Sequence, residues 1–345
     1  MRPTLRHRAT IAIRARAKCS RHPHDIVVVG VATLRTLVLS SEIERIVVTG
    51  SGGWVGRCAL DLLARAGGRR EVVAATSRAR TVVTDFGAWP AVAMSALPML
   101  ERRPRTLLLH CGFPTQDQVD VLGEGAYTDA IRGLRTTMIE TIDSLGPVDM
   151  VYLSSGAATT VEQGCDVADR TRVYGQAKLD DEVAFRDVIT AAGGRLCVVR
   201  AFALAGPYMT KPEAYALGGM ITEAASDGQI TVRAARPVRR SYMLIDDMLR
   251  IALQAVGALG SGDQVTFETG GEVVEMGDLA ARVLGALGKN PTAVSRPALD
   301  ASAVADDYFG STVVMDSLAR TAGVVPMPLD DQIGITAEWL LRSVR

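Results

Sequence analysis

A short β-branched run that leads directly into a glycine-rich turn limits what this chain can fold into. Ile46, Val47 and Val48 precede the turn, and apolar residues recur with helical spacing after it, through Leu63. The turn itself reads Thr49-Gly50-Ser51-Gly52-Gly53-Trp54-Val55-Gly56. This order predicts a strand, a tight turn and then a helix.

The same alternation continues along the chain. Further strands are predicted at 71–75, 106–110, 150–153 and 196–199, and helices at 126–145 and 175–192. After residue 206 the pattern predicts a helix near 215–226, a strand near 230–232 and a helix at 276–287. Strands that alternate with helices indicate an α/β fold built on a doubly wound parallel sheet.

We therefore predict a Rossmann-like dinucleotide-binding domain at residues 45–205, to which parts of 230–260 return. Residues 206–345 form mainly a smaller C-terminal α/β substrate lobe. Residues 1–44 begin with a basic, acid-poor segment and are predicted to be an N-terminal extension of uncertain order.

Composition excludes several classes of partner. The 345 residues carry 38 basic and 38 acidic side chains, so nothing favours nucleic acid or an anionic membrane. The apolar stretches are too short to cross a bilayer. The five cysteines are scattered, without metal-ligand spacing, which predicts a cytoplasmic protein with no structural metal.

The glycine turn is a candidate dinucleotide site. A pyrophosphate needs a turn without side chains and a helix whose amino end points at it. Gly50, Gly53 and Gly56 meet this need, and the backbone of Trp54 and Val55 would share the contact. An ordinary strand-to-helix turn is the alternative interpretation.

The end of the second strand favours NADP over NAD. An acidic residue there would accept hydrogen bonds from a ribose hydroxyl, but the chain reads Ala75-Thr76-Ser77-Arg78. Arg78 could pair with a 2′-phosphate and Ser77 could donate a hydrogen bond. NAD stays possible, since other groups can hold the ribose and Arg78 could be a solvated surface residue.

Three polar residues form a candidate catalytic set. Tyr174 and Lys178 are four residues apart and share one face of a helix. A neighbouring ammonium favours the phenolate form of a tyrosine, which is otherwise a poor base at neutral pH. Ser155 follows the strand at 150–153 and would lie at the edge of the sheet where such folds bind ligands. A chance Tyr–Lys pair and a helix-capping serine are the alternatives.

Together these motifs resemble the extended short-chain dehydrogenase/reductase family, which includes UDP-galactose 4-epimerase and other nucleotide-sugar epimerases and dehydratases. The resemblance covers about residues 45–342 and rests on the turn, the catalytic set, and three further segments. These are Val199-Arg200-Ala201-Phe202 with Gly206-Pro207, Arg240-Ser241-Tyr242, and Asp246-Asp247.

The resemblance implies roles for several residues. Tyr174 would exchange a proton with the substrate hydroxyl, Ser155 would hydrogen-bond the same oxygen, and Lys178 would also hold the nicotinamide ribose. Arg240 would contact the substrate pyrophosphate. His110 and Cys111 would line the cofactor, with Cys111 as a packing residue, and two chains would pair as a homodimer.

The chain departs from the family pattern in the substrate region. The acidic pair typical of dehydratases is replaced by Gly156-Ala157-Ala158, which disfavours dehydration. A usual asparagine is Ala203 and a usual histidine is Leu244. We therefore expect an enzyme that acts as an NAD(P)-dependent epimerase or 4-ketoreductase on a nucleotide sugar. The alternatives are an NADP-dependent reductase of a ketone or aldehyde without a nucleotide, and a catalytically silent dinucleotide-sensing module.

Overall fold

The computed structural model describes residues 41–342. All but the last four residues of the predicted N-terminal extension lie outside the described residues. The strands are β1 (Arg45–Thr49), β2 (Glu71–Thr76), β3 (Arg80–Thr84), β4 (Gly87–Ala93), β5 (Thr106–His110), β6 (Val148–Ser155), β7 (Leu196–Ala201), β8 (Ala203–Ala205), β9 (Ile230–Thr231), β10 (Val238–Leu244), β11 (Gln264–Glu268), β12 (Val273–Glu275), β13 (Val294–Ser295) and β14 (Asp306–Tyr308).

The helices account for most of the remaining chain. They are α1 (Trp54–Ala66), α2 (Asp117–Leu122), α3 (Glu124–Leu145), α4 (Gly156–Glu162), α5 (Asp169–Ala191), α6 (Ala216–Asp227), α7 (Ile245–Ala258), α8 (Met276–Ala286), α9 (Val313–Thr321) and α10 (Leu329–Arg342). Within residues 41–342, every helix is too short or too polar to span a bilayer.

The main sheet has eight strands in the order β11-β7-β6-β5-β1-β2-β4-β3. Neighbouring strands run parallel except β3, which is antiparallel to β4. From β1 the chain first builds β2 on one side and later β5, β6 and β7 on the other. The predicted doubly wound α/β fold is confirmed, and the strand order reverses between β1 and β5.

Apolar side chains cover both faces of this sheet. One face is covered by α1 and α7, whose buried residues include Leu60, Leu62 and Ile251. The other is covered by α3 and α5 through residues such as Met138 and Phe185. Because both faces are buried, β1 and β5 each have three consecutive apolar residues at their centre rather than an alternating pattern.

A smaller sheet carries the C-terminal part of the chain. β10 pairs with β12, β14 and β8, and the predicted elements near 215–226, 230–232 and 276–287 are confirmed as α6, β9 and α8. The predicted returning segment, 230–260, contains α7, but the strand that rejoins the main sheet is β11, just beyond it. The sequence pattern missed the β3–β4 hairpin, whose residues are largely exposed and include Pro90.

A buried carboxylate ties together three strands at the amino edge of the main sheet. Asp149 on β6 is 0% exposed. It accepts hydrogen bonds from Arg105 Nε at 2.7 Å and from Arg195 Nη2 at 2.6 Å, just before β5 and β7. The backbone N–H of Arg195 also donates to it, at 3.0 Å.

We predict that Asp149→Ala lowers the free energy of unfolding by about 3–5 kcal/mol, because two partly buried guanidinium groups lose their partner. Asp129→Ala removes an exposed ion pair with Arg132 and should cost less than about 1 kcal/mol. Urea denaturation measures both variants, and equal losses would contradict the prediction.

The loss should also depend on pH. Burial alone would raise the pKa of Asp149, but hydrogen bonds from Arg105 and Arg195 hold it below its usual value. The carboxylate therefore stabilises the fold fully above about pH 4, the range of an unfolded aspartate, and this contribution fades as pH falls through the folded pKa. The difference between wild type and Asp149→Ala should shrink in acid, whereas a constant difference would refute this linkage.

Candidate dinucleotide and catalytic site

The turn between β1 and α1 is packed so tightly that its ends accept only glycine. Gly50 has a φ of +63°, and a Cβ there would lie 2.5 Å from Cα of Gly112. A Cβ on Gly56 would collide with the Gly50 carbonyl oxygen. α1 begins after Gly53, and no side chain caps its amino end. Its first N–H groups are left for a ligand, and the helix dipole favours an anion there.

This turn lies where the strand order reverses. β1 and β5 are neighbours, so the segment after β5 passes directly over the turn after β1. The Gly112 N–H donates to Thr49 Oγ1 at 3.2 Å, and Thr49 Oγ1 lies 2.6 Å from His110 Nδ1. Open α/β sheets bind their ligands in the crevice at this position. The residues therefore fit a dinucleotide. The glycines leave open the space that the pyrophosphate needs, which larger side chains would fill.

The side chain of His110 is buried and that of Cys111 is half-buried. The His110 ring is 1% exposed and lies 5.7 Å from the Tyr152 ring. Burial, aided by the charge of Lys178, lowers the pKa of His110 to about 3, so the ring is neutral. Any cofactor contact at His110 would come from its backbone. Burial raises the pKa of Cys111 to about 12, which suits a packing residue.

The residues that predicted a 2′-phosphate site are exposed beyond the end of β2. Ser77 and Arg78 both project at the surface. Arg80, which sequence reasoning missed, lies against the glycine turn, because a Cβ on Gly52 would collide with its guanidinium. Arg80 is the first residue of β3. Because the sequence pattern did not predict this strand, it did not mark Arg80 as a candidate either.

Ser155 ends β6 and begins α4. Its hydroxyl oxygen accepts a hydrogen bond from the Ala157 N–H at 3.2 Å, as an N-cap residue does. The helix segment of Tyr174 packs directly on the start of α4, because a Cβ on Gly175, the next residue, would collide with the Ala157 carbonyl oxygen. The structure therefore brings these two predicted residues together.

Lys178 lies one turn along α5 from Tyr174 and is 2% exposed. Its Nζ donates to the Leu153 carbonyl at 2.8 Å and lies 3.6 Å from the centre of the Phe113 ring. Burial lowers the pKa of Lys178 to about 7. Burial raises the pKa of Tyr174, and the Ser155 hydroxyl acts in the opposite direction.

A buried ionic network supports this edge of the sheet. Ser154 donates to Glu182 at 2.5 Å, and Arg200 donates to Glu182 at 2.7 Å and to Glu162 at 2.5 Å. Glu162 ends α4, the helix that Ser155 caps. The network joins β6, α4, α5 and β7, and so holds the strand end of Ser155 against the helix of Tyr174.

Comparison with known proteins identifies the family. A model of the NAD dependent epimerase/dehydratase family matches residues 46–267, more than half of the chain. The chain belongs to this family. The resemblance to extended short-chain dehydrogenases is thus confirmed, and the protein is an enzyme of that type. None of the curated proteins matches the sequence.

Solved structures of epimerases and dehydratases share the fold. UDP-glucose 4-epimerase of Thermotoga maritima, solved with UDP-glucose, has a TM-score of 0.66 and 18% identity, covering 87% of this chain and 100% of that one. A double mutant of the dTDP-glucose 4,6-dehydratase of Streptomyces venezuelae, solved with NAD, has a TM-score of 0.64 and 17% identity, covering 87% and 97%. UDP-N-acetylglucosamine 4-epimerase of Methanobrevibacter ruminantium has a TM-score of 0.66 and 12% identity, covering 88% and 99%.

Arg240, the predicted substrate contact of this epimerase/dehydratase, lies on β10 and is engaged by Asp306. Its guanidinium donates to the Asp306 carboxylate at 3.0 Å and to the Asp306 carbonyl at 2.7 Å. The side chain remains 22% exposed. An anionic substrate would therefore share or displace the Asp306 contact.

Two aromatic residues also lie at this edge of the sheet: Phe202, from a segment that carries the resemblance, and Tyr308, which sequence reasoning missed. Phe202 lies against Gly156, since a Cβ on that glycine would be 2.6 Å from the ring. Tyr308 packs on Phe202 with 4.8 Å between ring centres. Tyr308 lies far from Ser155 in sequence, and no motif marks it.

We predict that Gly56→Ala weakens NAD(P)(H) binding by about 5- to 150-fold, because relieving the collision with Gly50 distorts the turn at a cost of about 1–3 kcal/mol. Gly133→Ala is the matched control, since Gly133 is an exposed helix position with nothing near an added Cβ. It should stabilise the fold by about 0.5–1 kcal/mol and leave binding unchanged. Fluorescence titration with reduced cofactor measures the affinity of both variants. Unchanged binding by Gly56→Ala would contradict the role of the glycine turn in holding the cofactor.

Proposed function

We propose that this chain is an epimerase or 4-ketoreductase that acts on a nucleotide sugar through hydride transfer and a keto intermediate. One observation carries the proposal. Ser155 at the end of β6 meets the segment of α5 that carries Tyr174 and Lys178, at the carboxyl edge of the sheet that also holds the glycine cradle. Gly156-Ala157-Ala158 after Ser155 supplies no acid for dehydration.

A bound nicotinamide dinucleotide supplies the acceptor and donor of the hydride. Tyr174 takes the proton of the substrate hydroxyl as the carbon becomes a ketone, and returns a proton when the ketone is reduced. Ser155 donates a hydrogen bond to the same oxygen, which stabilises negative charge as it develops there. Epimerisation follows when the ketone turns over before reduction and receives hydride on its other face.

Lys178 tunes Tyr174 and holds the cofactor ribose. Its low pKa in the free protein results from burial, and the contacts to the Leu153 carbonyl and the Phe113 ring favour the charged form. A charged Lys178 favours the phenolate of Tyr174, and its remaining N–H groups can reach ribose hydroxyls.

We predict that Tyr174→Phe lowers kcat by about 10²–10⁴-fold, the usual contribution of a general acid–base, and leaves cofactor affinity unchanged. Tyr127→Phe removes another buried phenol, one that donates to the Pro114 carbonyl at 3.0 Å, and serves as the control. Chromatography of UDP- and dTDP-sugars incubated with the protein and NAD(P)(H) measures turnover. Undiminished turnover by Tyr174→Phe would remove it from the mechanism.

We further propose that the preferred cofactor is NADP. The solved dehydratase of similar fold contains NAD. A preference for NADP would therefore distinguish this chain from that dehydratase. It is supported by the lack of a carboxylate after β2 and by Arg78 and Arg80, the latter against the glycine turn. A guanidinium pairs with a 2′-phosphate through charge-assisted hydrogen bonds.

We predict that the double variant Arg78→Ala, Arg80→Ala raises the Kd for NADPH by about tenfold or more, since a hydrogen bond to a charged group is worth about 1.5–3 kcal/mol. The Kd for NADH should change by less than about twofold, because NADH lacks the phosphate. Arg132→Ala, an exposed control far along α3, should change neither. Tighter binding of NADH than NADPH by the wild type would overturn the preference.

A second candidate function is favoured by the ion pair between Arg240 and Asp306. Because Asp306 already engages this guanidinium, and aromatic rings line the catalytic edge, a ketone or aldehyde without a diphosphate would also suit the pocket. Absorbance of the reduced nicotinamide separates the two functions. A reductase consumes NADPH, whereas an epimerase interconverts sugars without net change. Binding of cofactor with neither activity would support the silent sensing module.

Homodimerisation and a cytoplasmic location remain proposals. The family supports the first, and the scattered cysteines support the second, since Cys58, Cys111, Cys165 and Cys197 are free thiols. Sedimentation of the purified protein tests the first, and a monomeric mass would remove it.

A further inference from the structure

An arginine and an aspartate share one face of the smaller sheet. β10 and β14 run parallel, with Arg240 opposite Tyr308. Side chains two residues apart on a strand point to the same face, so Asp306 lies on this face with both of them. The next residue, Asp307, points to the opposite face.

Two aromatic rings connect this face to the catalytic edge. The Arg240 guanidinium carbon lies 5.7 Å from the centre of the Tyr308 ring, which lies 4.8 Å from the centre of the Phe202 ring. A Cβ on Gly156, the residue after Ser155, would lie 2.6 Å from the Phe202 ring. A substrate that reacts at Ser155 could therefore reach Arg240 with a second, more distant group.

Backbone carbonyls hold the Arg240 guanidinium in place. Its Nη1 donates to the Arg239 carbonyl at 2.8 Å and to the Asp306 carbonyl at 2.7 Å. Both N–H groups of this nitrogen are thereby used. These two bonds fix the guanidinium without the carboxylate of Asp306.

The Asp306 carboxylate neutralises part of the positive charge on this face. Arg240 Nη2 donates to Asp306 Oδ1 at 3.0 Å, and Arg236 Nη2 donates to Asp306 Oδ2 at 2.9 Å. Two guanidinium groups and one carboxylate leave this cluster with a single net positive charge. Because the side chains of Arg240 and Asp306 are 22% and 34% exposed, an anion from solution can reach them and compete for the guanidinium.

We propose that Asp306 is a specificity-determining residue that competes with the substrate diphosphate for Arg240. When a diphosphate accepts the hydrogen bond from Nη2, the Asp306 carboxylate leaves Arg240 and keeps its bond from Arg236. The site therefore binds a diphosphate more weakly than an unpaired Arg240 would, and it favours substrates with less negative charge at this point. The choice of a diphosphate as the competing group rests on the proposed function.

Calorimetric titration of the full chain with UDP and with dTDP tests this competition. Asp306→Asn keeps the shape of the side chain and removes its negative charge. We expect this variant to bind both nucleotides about three- to fivefold more tightly than wild type, as for the loss of a partly exposed ion pair. Asp307→Asn is the matched control, since it removes the same charge on the opposite face, where Asp307 pairs with Arg239 at 2.7 Å. It should change the affinity by less than about twofold.

A double-mutant cycle shows whether the gain in affinity acts through Arg240. In an Arg240→Ala background, Asp306→Asn should change the affinity by less than about twofold. An equal gain in both backgrounds overturns the proposal. So does binding by Asp306→Asn that is no tighter than that of wild type, including the absence of binding by both.

The proposed function can fail separately. Wild-type protein that binds UDP or dTDP but converts no UDP- or dTDP-sugar would overturn the proposed function alone. The titrations would still decide the role of Asp306.

Discussion

The close approach of Gly50 to Gly112 is the contact on which the site depends. These glycines follow β1 and β5, the neighbours between which the strand order reverses. Any side chain at Gly50 would push the two loops apart, and the amino end of α1 would then turn away from the crevice. Thr49 reinforces the contact by bonding both Gly112 and His110.

Buried charge organises the two edges of the sheet in different ways. At the amino edge, Asp149 is shared by Arg105 and Arg195, and this cluster joins strands without any ligand. At the carboxyl edge, Glu182 and Arg200 hold the end of β6 beside α5. The Glu182–Arg200 network includes Ser154, the neighbour of Ser155. It therefore stabilises the fold and also helps to position Ser155 relative to Tyr174.

Features that depend on a few neighbouring residues could be predicted from the sequence, and the others could not. The strand–turn–helix around Gly50 to Gly56 and the Tyr174–Lys178 spacing are short patterns, and the structure places both where the patterns predict. Arg80 and the β3–β4 hairpin were missed, because exposed strands containing proline carry a weak periodic signal. His110 is predicted to line the cofactor, and its ring packs in the core, since alternate residues of a strand point to opposite faces; its contact would therefore come from the backbone.

The sequence by itself determined the doubly wound fold and the glycine turn, and it predicted Ser155, Tyr174 and Lys178 as the candidate catalytic set, because each follows from spacing within one strand, turn or helix. Only the tertiary structure decided that Arg80 lies on the turn, that Asp306 engages Arg240, and that Tyr308 packs on Phe202. Those contacts join residues that are distant along the chain and are brought together by strand pairing. No local pattern of residues records such a pairing.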